Sequence, residues 1–131
     1  MFGKIVSFLF TRLDRPWGHM YVLFAVKHLW LKIIIVKPGG RLSWQLHKLR
    51  NELWICCAGG GISIRETADR SLNRHDHLRI CSFVYIPTRW LHRLCGDNDR
   101  GVSVVEIAWG PDVSEDDIVR YEDSYGRETK I

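Results

Sequence analysis

The chain has 131 residues, 46% of them hydrophobic, which suits one packed core and is too short for two comfortable domains. The formal net charge is +4. Residues 1–50 contain nine Lys or Arg and one acidic residue, whereas residues 51–131 contain ten Lys or Arg and fourteen acidic residues. The basic residues are not clustered with stacking aromatics, and no apolar stretch approaches the roughly 20 residues that span a bilayer. We therefore expect one domain over residues 1–131 that binds neither nucleic acid nor membrane.

The start of the chain and its cysteines predict a cytoplasmic protein. Residues 1–10 contain a lysine and an apolar run, but no small-residue cleavage site follows before Arg12, so we expect no signal peptide. The four cysteines lack the CxxC spacing of zinc sites, and Cys56 and Cys57 would point to opposite faces of a strand. We interpret all four as reduced packing residues.

Short β-rich segments separated by Gly, Pro, Asn and Asp occupy residues 20–107, a pattern typical of an all-β sandwich or barrel. The predicted strands, in chain order, are 21–25, 29–36, 53–58, 61–64, 80–86 and 102–109, with turns at 38–40 and 59–61. The polar segment 66–78 contains His75-Asp76-His77, which we interpret as part of a mobile surface loop. Ser114 and Asp117 have the spacing of an N-cap box, which predicts a short helix over 115–122.

Four side chains have spacings that suit a metal site. Gln45 and His47 are two residues apart, so on a strand they face the same side, and each offers a neutral lone pair. Glu52 follows after a possible turn at 48–51 that brings the next strand alongside, and His92 follows the strand 80–86. Such a set suits Zn²⁺, Mn²⁺, Fe²⁺, Co²⁺ or Ni²⁺. On spacing alone, ordinary strand and core residues are the simpler interpretation.

Four segments of the chain resemble one known family. They are Arg15-Pro16-Trp17-Gly18, PGGRLSWQLHKLRNELW at 38–54, YIPTRWLHRL at 85–94 and EDDIVRYEDSYGR at 115–127. In order and spacing they resemble the type II mannose-6-phosphate isomerase domain, which is also found at the C-terminal end of bifunctional mannose-1-phosphate guanylyltransferases. The resemblance covers about residues 15–127, nearly the whole chain.

The resemblance implies a cupin fold, that is, a double-stranded β-helix or jelly-roll barrel. It also implies a divalent metal ion held by Gln45, His47, Glu52 and His92. The implied activity is a metal-dependent aldose–ketose isomerisation in carbohydrate metabolism, with mannose 6-phosphate and fructose 6-phosphate as the leading pair. The expected partner is therefore a small sugar phosphate. A homodimer is expected because cupins often pair through their outer strands.

The chain departs from the family's pattern at two places. Where the family usually has three consecutive histidines this chain has His47-Lys48-Leu49, and Leu53 stands where a histidine usually follows the glutamate. Polar groups that face the substrate are therefore expected to be missing. Arg89 stands at the usual position of a glycine in the second motif, which predicts a rebuilt turn before the last ligand.

Several basic and aromatic residues near the ligand segments are candidates for catalysis and substrate binding. Arg50 lies between two ligands and is a candidate for stabilising enediolate charge or holding phosphate, with a surface turn arginine as the equal alternative. Arg93, beside a ligand, is a weaker candidate for the same role. Lys37 and Arg41 are candidates for attracting phosphate near the barrel mouth, with solvated loop charges as the favoured alternative. Trp44 or Trp90 is the candidate for lining the sugar pocket.

Two alternatives to an isomerase stay open. His47, Glu52 and His92 are also the two-histidine, one-carboxylate set of a non-haem iron dioxygenase. The replaced histidines instead favour a non-catalytic cupin that binds metal and sugar. Consumption of O₂ with Fe²⁺ would support the first alternative, and thermal stabilisation by a sugar without turnover would support the second.

Overall fold

The computed structural model describes residues 11–129, which form eleven strands in two antiparallel sheets. The strands are β1 (Thr11–Arg15), β2 (Gly18–Val26), β3 (Leu29–Val36), β4 (Trp44–Leu46), β5 (Asn51–Gly59), β6 (Gly61–Glu66), β7 (Asn73–Leu78), β8 (Phe83–Ile86), β9 (Leu91–Gly96), β10 (Val102–Trp109) and β11 (Val119–Glu122). One sheet has the order β1-β2-β3-β10-β5-β8 and the other β11-β4-β9-β6-β7. Within residues 11–129 no helix is long and apolar enough to cross a bilayer. The segment 1–10, on which the signal-peptide prediction rests, lies outside the described residues.

The inward side of the six-stranded sheet changes from apolar to charged along its strands. Alternate residues of β3, β5 and β10 are buried, as expected for strands with one face on the core. At one end they join an apolar core that consists of Trp17, Met20, Ile34, Val36, Leu42, Trp54, Cys56, Leu78, Val84, Ile86, Leu94, Val102 and Val104. At the other end they are Lys32, Glu52 and Glu106, each at most 3% exposed. Because burying unpaired charge is costly, this polar end marks the position of a site.

Most of the predicted strands and both predicted turns are confirmed. Strands 29–36 and 102–109 match β3 and β10 in full, and 21–25, 53–58 and 61–64 lie within β2, β5 and β6. Gly39 and Gly59 have φ angles of 70° and 68°, a conformation that favours glycine at a turn. The predicted strand over 80–86 is wrong in its first half, because a turn centred on Cys81 precedes β8.

The predicted helix over 115–122 is wrong, because residues 119–122 form β11 and pair with β4. The capping residues are used in a turn instead. Ser114 Oγ accepts a hydrogen bond from the N–H of Asp116 at 3.1 Å, as an N-cap would. The carboxylate of Asp117, however, accepts hydrogen bonds from the N–H groups of Lys48 and Leu49, which belong to a distant segment. Contacts distant in sequence therefore replace the helix.

The triplet His75-Asp76-His77 lies in a strand and not in the loop that its polarity predicts. It belongs to β7, which pairs with β6 at the edge of the five-stranded sheet. Asp76 accepts a hydrogen bond from Arg65 at 2.9 Å, and both histidines are exposed. An edge strand pairs on one side only, so its composition can be polar without the usual alternation.

Candidate metal centre

Strands from both sheets bring the four predicted ligands to one point. Gln45 on β4 is the direct partner of His92 on β9, so their side chains face the same side of the five-stranded sheet. The chain leaves β4 through His47 and crosses to the six-stranded sheet, where Glu52 enters β5. The turn at 48–51 therefore brings Glu52 from the opposite sheet, and not from an adjacent strand as its spacing predicted.

The distances within this group are short enough for one metal ion to contact all three side chains. Glu52 Oε1 lies 3.2 Å from His47 Nε2 and 3.0 Å from His92 Nε2, and all three side chains are at most 2% exposed. Two donor atoms with bonds of ~2.1 Å at right angles around one ion are roughly 3 Å apart. Potential ligand atoms of the three residues all lie within 4.8 Å of one another.

Main-chain carbonyl groups fix the orientation of both imidazole rings. His47 Nδ1 lies 2.6 Å from the carbonyl oxygen of Asp117, and His92 Nδ1 lies 2.9 Å from that of Trp90. Because a carbonyl oxygen only accepts, each Nδ1 carries a proton, and a neutral ring then directs an Nε2 lone pair at Glu52. Burial lowers the pKa of His47, which favours its neutral ring.

Two atoms at the centre lack a partner. Glu52 Oε1 and His92 Nε2 are buried and have no hydrogen-bond partner among the described residues. Burial alone would raise the pKa of Glu52, but nearby positive charge, including that of Arg50, holds this pKa well below its ordinary value. A carboxylate facing two imidazole lone pairs is unfavourable unless a cation lies among them. The residues present therefore fit a divalent metal ion.

Gln45 and Arg50 form the wall beside this group. The amide nitrogen of Gln45 lies 3.4 Å from His47 Nε2, while its oxygen accepts a hydrogen bond from Ser43 Oγ. Ligation through oxygen requires the amide to turn over, and the ligand role of Gln45 stays a prediction. Arg50 is 5% exposed, with Nη2 3.1 Å from His47 Nε2 and 3.5 Å from Glu52 Oε2. It is therefore not a surface turn arginine.

A second buried carboxyl group, that of Glu106, adjoins Glu52. Burial, followed by the negative charge of Glu52, raises the pKa of Glu106 well above its ordinary value. Trp54 Nε1 donates to Glu106 Oε1 at 3.3 Å. The alternation of buried and exposed residues along β10 predicts that Glu106 is buried. Only the pairing of β10 with β5 shows that Glu106 is near the predicted ligand Glu52.

A cavity of about 40 Å³ lies next to His47, Glu52 and His92, which together are called the metal group. Gln45, Arg50 and Trp54 line it on that side, and exposed Glu115 places part of its wall at the surface. One water molecule needs roughly 10–15 Å³ of such a cavity. A ligand larger than a few water molecules must therefore extend toward the open side. The remaining charged wall residues are Arg15, Lys32, Glu106, Arg120 and Arg127.

Arg15, Arg120 and Arg127 were not among the site residues expected from the sequence, because each is far along the chain from the four predicted ligands. A signal for them was nevertheless present. Arg15 belongs to the family-like segment at 15–18, and the other two belong to the segment at 115–127. The cavity is where these segments meet the segment at 38–54.

Three predicted substrate-binding residues do not line the cavity. Lys37 and Arg41 are exposed, and the Nε atom of Arg41 donates to Ser124 Oγ at 2.6 Å. Trp44 alternates with buried Gln45 and so faces the other side of β4. All three side chains therefore lie outside the wall of the cavity.

Arg93 is buried but has a structural environment. It follows His92 on β9 and faces the opposite side of the strand. Its Nε donates to the carbonyl oxygen of Leu42 at 2.9 Å, and its two terminal nitrogens donate to Glu122 at 3.2 and 3.1 Å. These hydrogen bonds connect β9 to its neighbours, and Arg93 does not line the cavity.

The replaced histidine positions do not face the metal group. Lys48 and Leu49 are exposed, and their N–H groups donate to the Asp117 carboxylate. Leu53 alternates on β5 with buried Glu52 and therefore faces the outer side of the strand. The substitutions thus leave the polar wall of the cavity intact, contrary to the expectation that substrate-facing groups are missing.

A turn with Arg89 in it precedes β9. The N–H of Trp90 donates to the carbonyl oxygen of Pro87 at 3.3 Å, which closes a four-residue turn. Arg89 has a φ of 67°, the left-handed conformation for which glycine is favoured. Its N–H donates to the carbonyl oxygen of His47 at 2.7 Å, which connects this turn to the metal group.

The two-sheet fold and its interior His/Glu/His group define a cupin. Among solved structures, an oxalate decarboxylase variant from Bacillus subtilis has a TM-score of 0.74 and 15% identity, covering 91% of this chain and 34% of that chain. The capsular polysaccharide assembling protein CapF from Staphylococcus aureus has a TM-score of 0.70 and 16% identity, covering 89% and 34%. At these identities the likeness concerns the fold alone.

Within the cupins, the chain belongs to the mannose-6-phosphate isomerase C-terminal family, whose model matches residues 6–123. The xanthan biosynthesis protein XanB of Xanthomonas campestris is 36% identical over 128 residues, which are 95% of this chain and 26% of the relative. The alginate biosynthesis protein AlgA of Pseudomonas aeruginosa is 38% identical over 118 residues, covering 86% and 22%. The chain thus spans about a quarter of the length of these relatives.

Proposed function

We propose that the chain is a metal-dependent aldose–ketose isomerase that interconverts mannose 6-phosphate and fructose 6-phosphate. The observation that carries the proposal is the buried group of His47, Glu52 and His92 beside a cation-lined cavity. Membership of the mannose-6-phosphate isomerase C-terminal family supports the reaction class.

The proposed metal site consists of side chains from β5, β9 and the segment between β4 and β5. His47 Nε2, His92 Nε2 and Glu52 Oε1 would hold the ion, with Gln45 as a fourth ligand after its amide turns over. This mixed set fits Zn²⁺, Mn²⁺, Fe²⁺, Co²⁺ or Ni²⁺. A divalent ion supplies Lewis acidity toward the oxygen atoms of a sugar.

The side chains around the cavity supply the remaining chemistry. Interconverting an aldose and a ketose moves a proton between adjacent carbons, so a proton-transfer group must lie within reach of them. Glu106 lines the cavity next to Glu52, and we propose it for this role. Negative charge develops on the substrate oxygens, and buried Arg50 is positioned to stabilise that charge.

Metal analysis combined with a coupled assay on mannose 6-phosphate tests this function. The native chain should retain about one divalent ion and form fructose 6-phosphate. His47→Ala and Glu52→Ala should each lose the ion and at least ~100-fold of the activity. His75→Ala removes an exposed histidine of β7 and is the matched control, which should keep both. Unchanged metal content in both site variants, or a metal-loaded native chain without turnover, would contradict the proposal.

A dioxygenase is the second candidate, because the two-histidine, one-carboxylate group is also the arrangement of non-haem iron oxygenases. Consumption of O₂ by the Fe²⁺-loaded chain without isomerase activity would favour it. Thermal stabilisation by sugar phosphate without either activity would favour a non-catalytic binding cupin.

We also propose that the chain acts in the cytoplasm as a homodimer. All four cysteines are free, which supports a reducing compartment. Ile80 and Phe83 are 65% and 74% exposed beside and on β8, an edge strand of the six-stranded sheet, which supports pairing with a second copy. Light scattering at micromolar concentration should give twice the mass of one chain, and the mass of one chain would contradict the dimer.

A further inference from the structure

We infer that Arg120, together with Arg15 and Arg127, forms an anion subsite that takes the phosphate group of a phosphorylated sugar. The subsite lies on the cavity wall beyond Gln45 and binds the end of the substrate that is remote from the metal group. The inference rests on the proposed function for the identity of the sugar, and it adds the residues that recognise its phosphate.

The strand register places Arg120 in one row with the metal group. β4 pairs with β9 on one side and with β11 on the other, so His92, Gln45 and Arg120 are successive cross-strand partners. Direct partners face the same side of a sheet, and neighbouring strands are ~4.8 Å apart. The main chain at Arg120 is therefore roughly 10 Å from that at His92. A sugar whose carbonyl end meets the metal group directs its other end toward Arg120.

The cavity wall carries more cations than acids. The acids are the two carboxyl groups of Glu106 and Glu115. The five basic side chains are Arg15, Lys32, Arg50, Arg120 and Arg127. Lys32 pairs with Glu115, Arg50 lies 3.5 Å from Glu52, and Arg127 binds Asp123 at 2.8 Å. Within residues 11–129 that leaves Arg15 and Arg120 without a carboxylate at ion-pair distance.

Arg120 gives the strongest support for an anion subsite on this wall. Its Nε atom is buried and has no hydrogen-bond partner in the described part of the chain. Burial and the nearby charges of Arg127 and Arg15 lower the pKa of its guanidinium group, and the charges of Asp123 and Glu115 offset only part of this effect. Arg50 Nε, on the same cavity wall in a side chain 5% exposed, is a second buried donor without a partner. Like charges and orphaned donors around one space are stabilised by a bound anion.

The chemistry of these side chains favours a phosphate monoester over a carboxylate. A guanidinium group presents a planar fork of donors that matches phosphate oxygens in pairs. Arg15 comes from β1 of one sheet and Arg120 from β11 of the other, so they reach the cavity from both sides. Two guanidinium charges without acid partners balance the charge of about −1.5 to −2 that a phosphate monoester carries at pH 7.

Calorimetric titration of the metal-loaded full chain tests the subsite. Three ligands are titrated: mannose 6-phosphate, inorganic phosphate and mannose. The chains compared are the native chain, Arg120→Gln, Arg120→Lys and the control Arg74→Gln. The control changes an exposed arginine of β7. Arg120→Gln should weaken both phosphate-containing ligands by about 10- to 100-fold. It should leave mannose affinity and metal content unchanged, with Arg120→Lys intermediate and the control unaffected. Equal phosphate affinity in the native chain and Arg120→Gln would overturn the subsite.

A second variant and an activity measurement separate the possible failures. Arg15→Gln should show the same selective loss of phosphate binding, and it keeps the test valid if Arg120→Gln does not fold. Selective loss of phosphate binding without turnover in any chain would uphold the subsite and overturn the isomerase. Turnover with an unchanged KM for mannose 6-phosphate in both variants would overturn the subsite and uphold the isomerase.

Discussion

The carbonyl oxygen of Asp117 accepts a hydrogen bond from His47 Nδ1 at 2.6 Å, and its carboxylate accepts from the N–H groups of Lys48 and Leu49 at 2.8 and 2.9 Å. One residue thus orients the ring of a proposed ligand and holds the backbone that follows it. Such outer contacts fix the tautomer and raise the basicity of metal-binding histidines. The turn around Asp117 therefore supports the proposed metal site, although it provides no ligand.

Removing the Asp117 carboxylate should loosen this support. Asp117→Ala leaves the carbonyl in place but removes the acceptor for two N–H groups, so the segment that carries His47 becomes less ordered. We expect metal affinity to fall by about 10-fold and the free energy of unfolding by about 1–3 kcal/mol. Chelator competition and urea unfolding measure the two effects. Asp116→Ala, an exposed acid in the same turn, is the control, and equal metal affinity in both variants would contradict the role of Asp117.

Restoring the family's histidines should have little effect on catalysis. Lys48→His and Leu49→His change exposed side chains that face away from the cavity. Substitutions at such positions usually change free energies by less than about 0.5 kcal/mol, so kcat/KM should stay within about twofold. The coupled isomerase assay on the double variant checks this. A gain of 10-fold or more would show that these positions reach the substrate after all.

Arg89 pays a conformational penalty at the turn before His92, because its φ of 67° is unfavourable for a side chain with a Cβ atom. Arg89→Gly should remove that penalty, and the greater freedom of glycine in the unfolded chain offsets part of the gain. We expect the free energy of unfolding to rise by about 0.5–1 kcal/mol. Thr88→Gly, at the neighbouring position without a positive φ, should instead destabilise the chain. A loss of stability in Arg89→Gly would contradict this explanation.

The sequence was sufficient for the strands that have a regular local signal. Segments 29–36 and 102–109 are rich in Val and Ile and are bounded by turn residues, so their limits could be predicted in full. That Gln45 and His47 face the same side could likewise be predicted from their spacing, although β4 ends at Leu46. These features depend on neighbouring residues and hardly on the rest of the fold.

Features that depend on contacts between residues far apart in the sequence could not be predicted. Ser114 and Asp117 form a helix-capping pattern, but Asp117 binds the backbone at 48–49, so a turn forms instead. Arg15 and Arg120 share a cavity only because β1 and β11 lie in opposite sheets. Glu106 becomes a site residue only through the pairing of β10 with β5. Neither spacing nor composition contains this information.

Asp123 should make the stability of the chain depend on acid pH. Its carboxylate accepts hydrogen bonds from the N–H, Nε and Nη2 of Arg127 at 2.6, 2.8 and 2.9 Å. Burial alone would raise the pKa of Asp123, but the hydrogen bonds and charge of Arg127 lower it below the ordinary value of 3.8. The folded chain thus favours the ionised form. This stabilisation is present above the ordinary pKa and is lost as the pH falls through the lower folded value.

The variant Asp123→Asn measures this contribution. At pH 7 it should lower the free energy of unfolding by about 1–3 kcal/mol, because an ionised acceptor of three hydrogen bonds is replaced by a neutral amide. The difference from the native chain should shrink as the pH falls below 3.8. Asp112→Asn changes an exposed acid and serves as the control in urea unfolding at each pH. A difference that stays constant from neutral to strongly acid pH would contradict the role of the ionised carboxylate.

Anomalous X-ray scattering from crystals of the metal-loaded chain, recorded at the absorption edge of the bound ion, tests the metal centre most directly. We predict one strong peak between the two sheets, about 2.0–2.2 Å from His47 Nε2, His92 Nε2 and a carboxylate oxygen of Glu52. A metal-loaded crystal with no peak among these atoms, or with its peak at His75 and His77 on the edge strand β7, would contradict it.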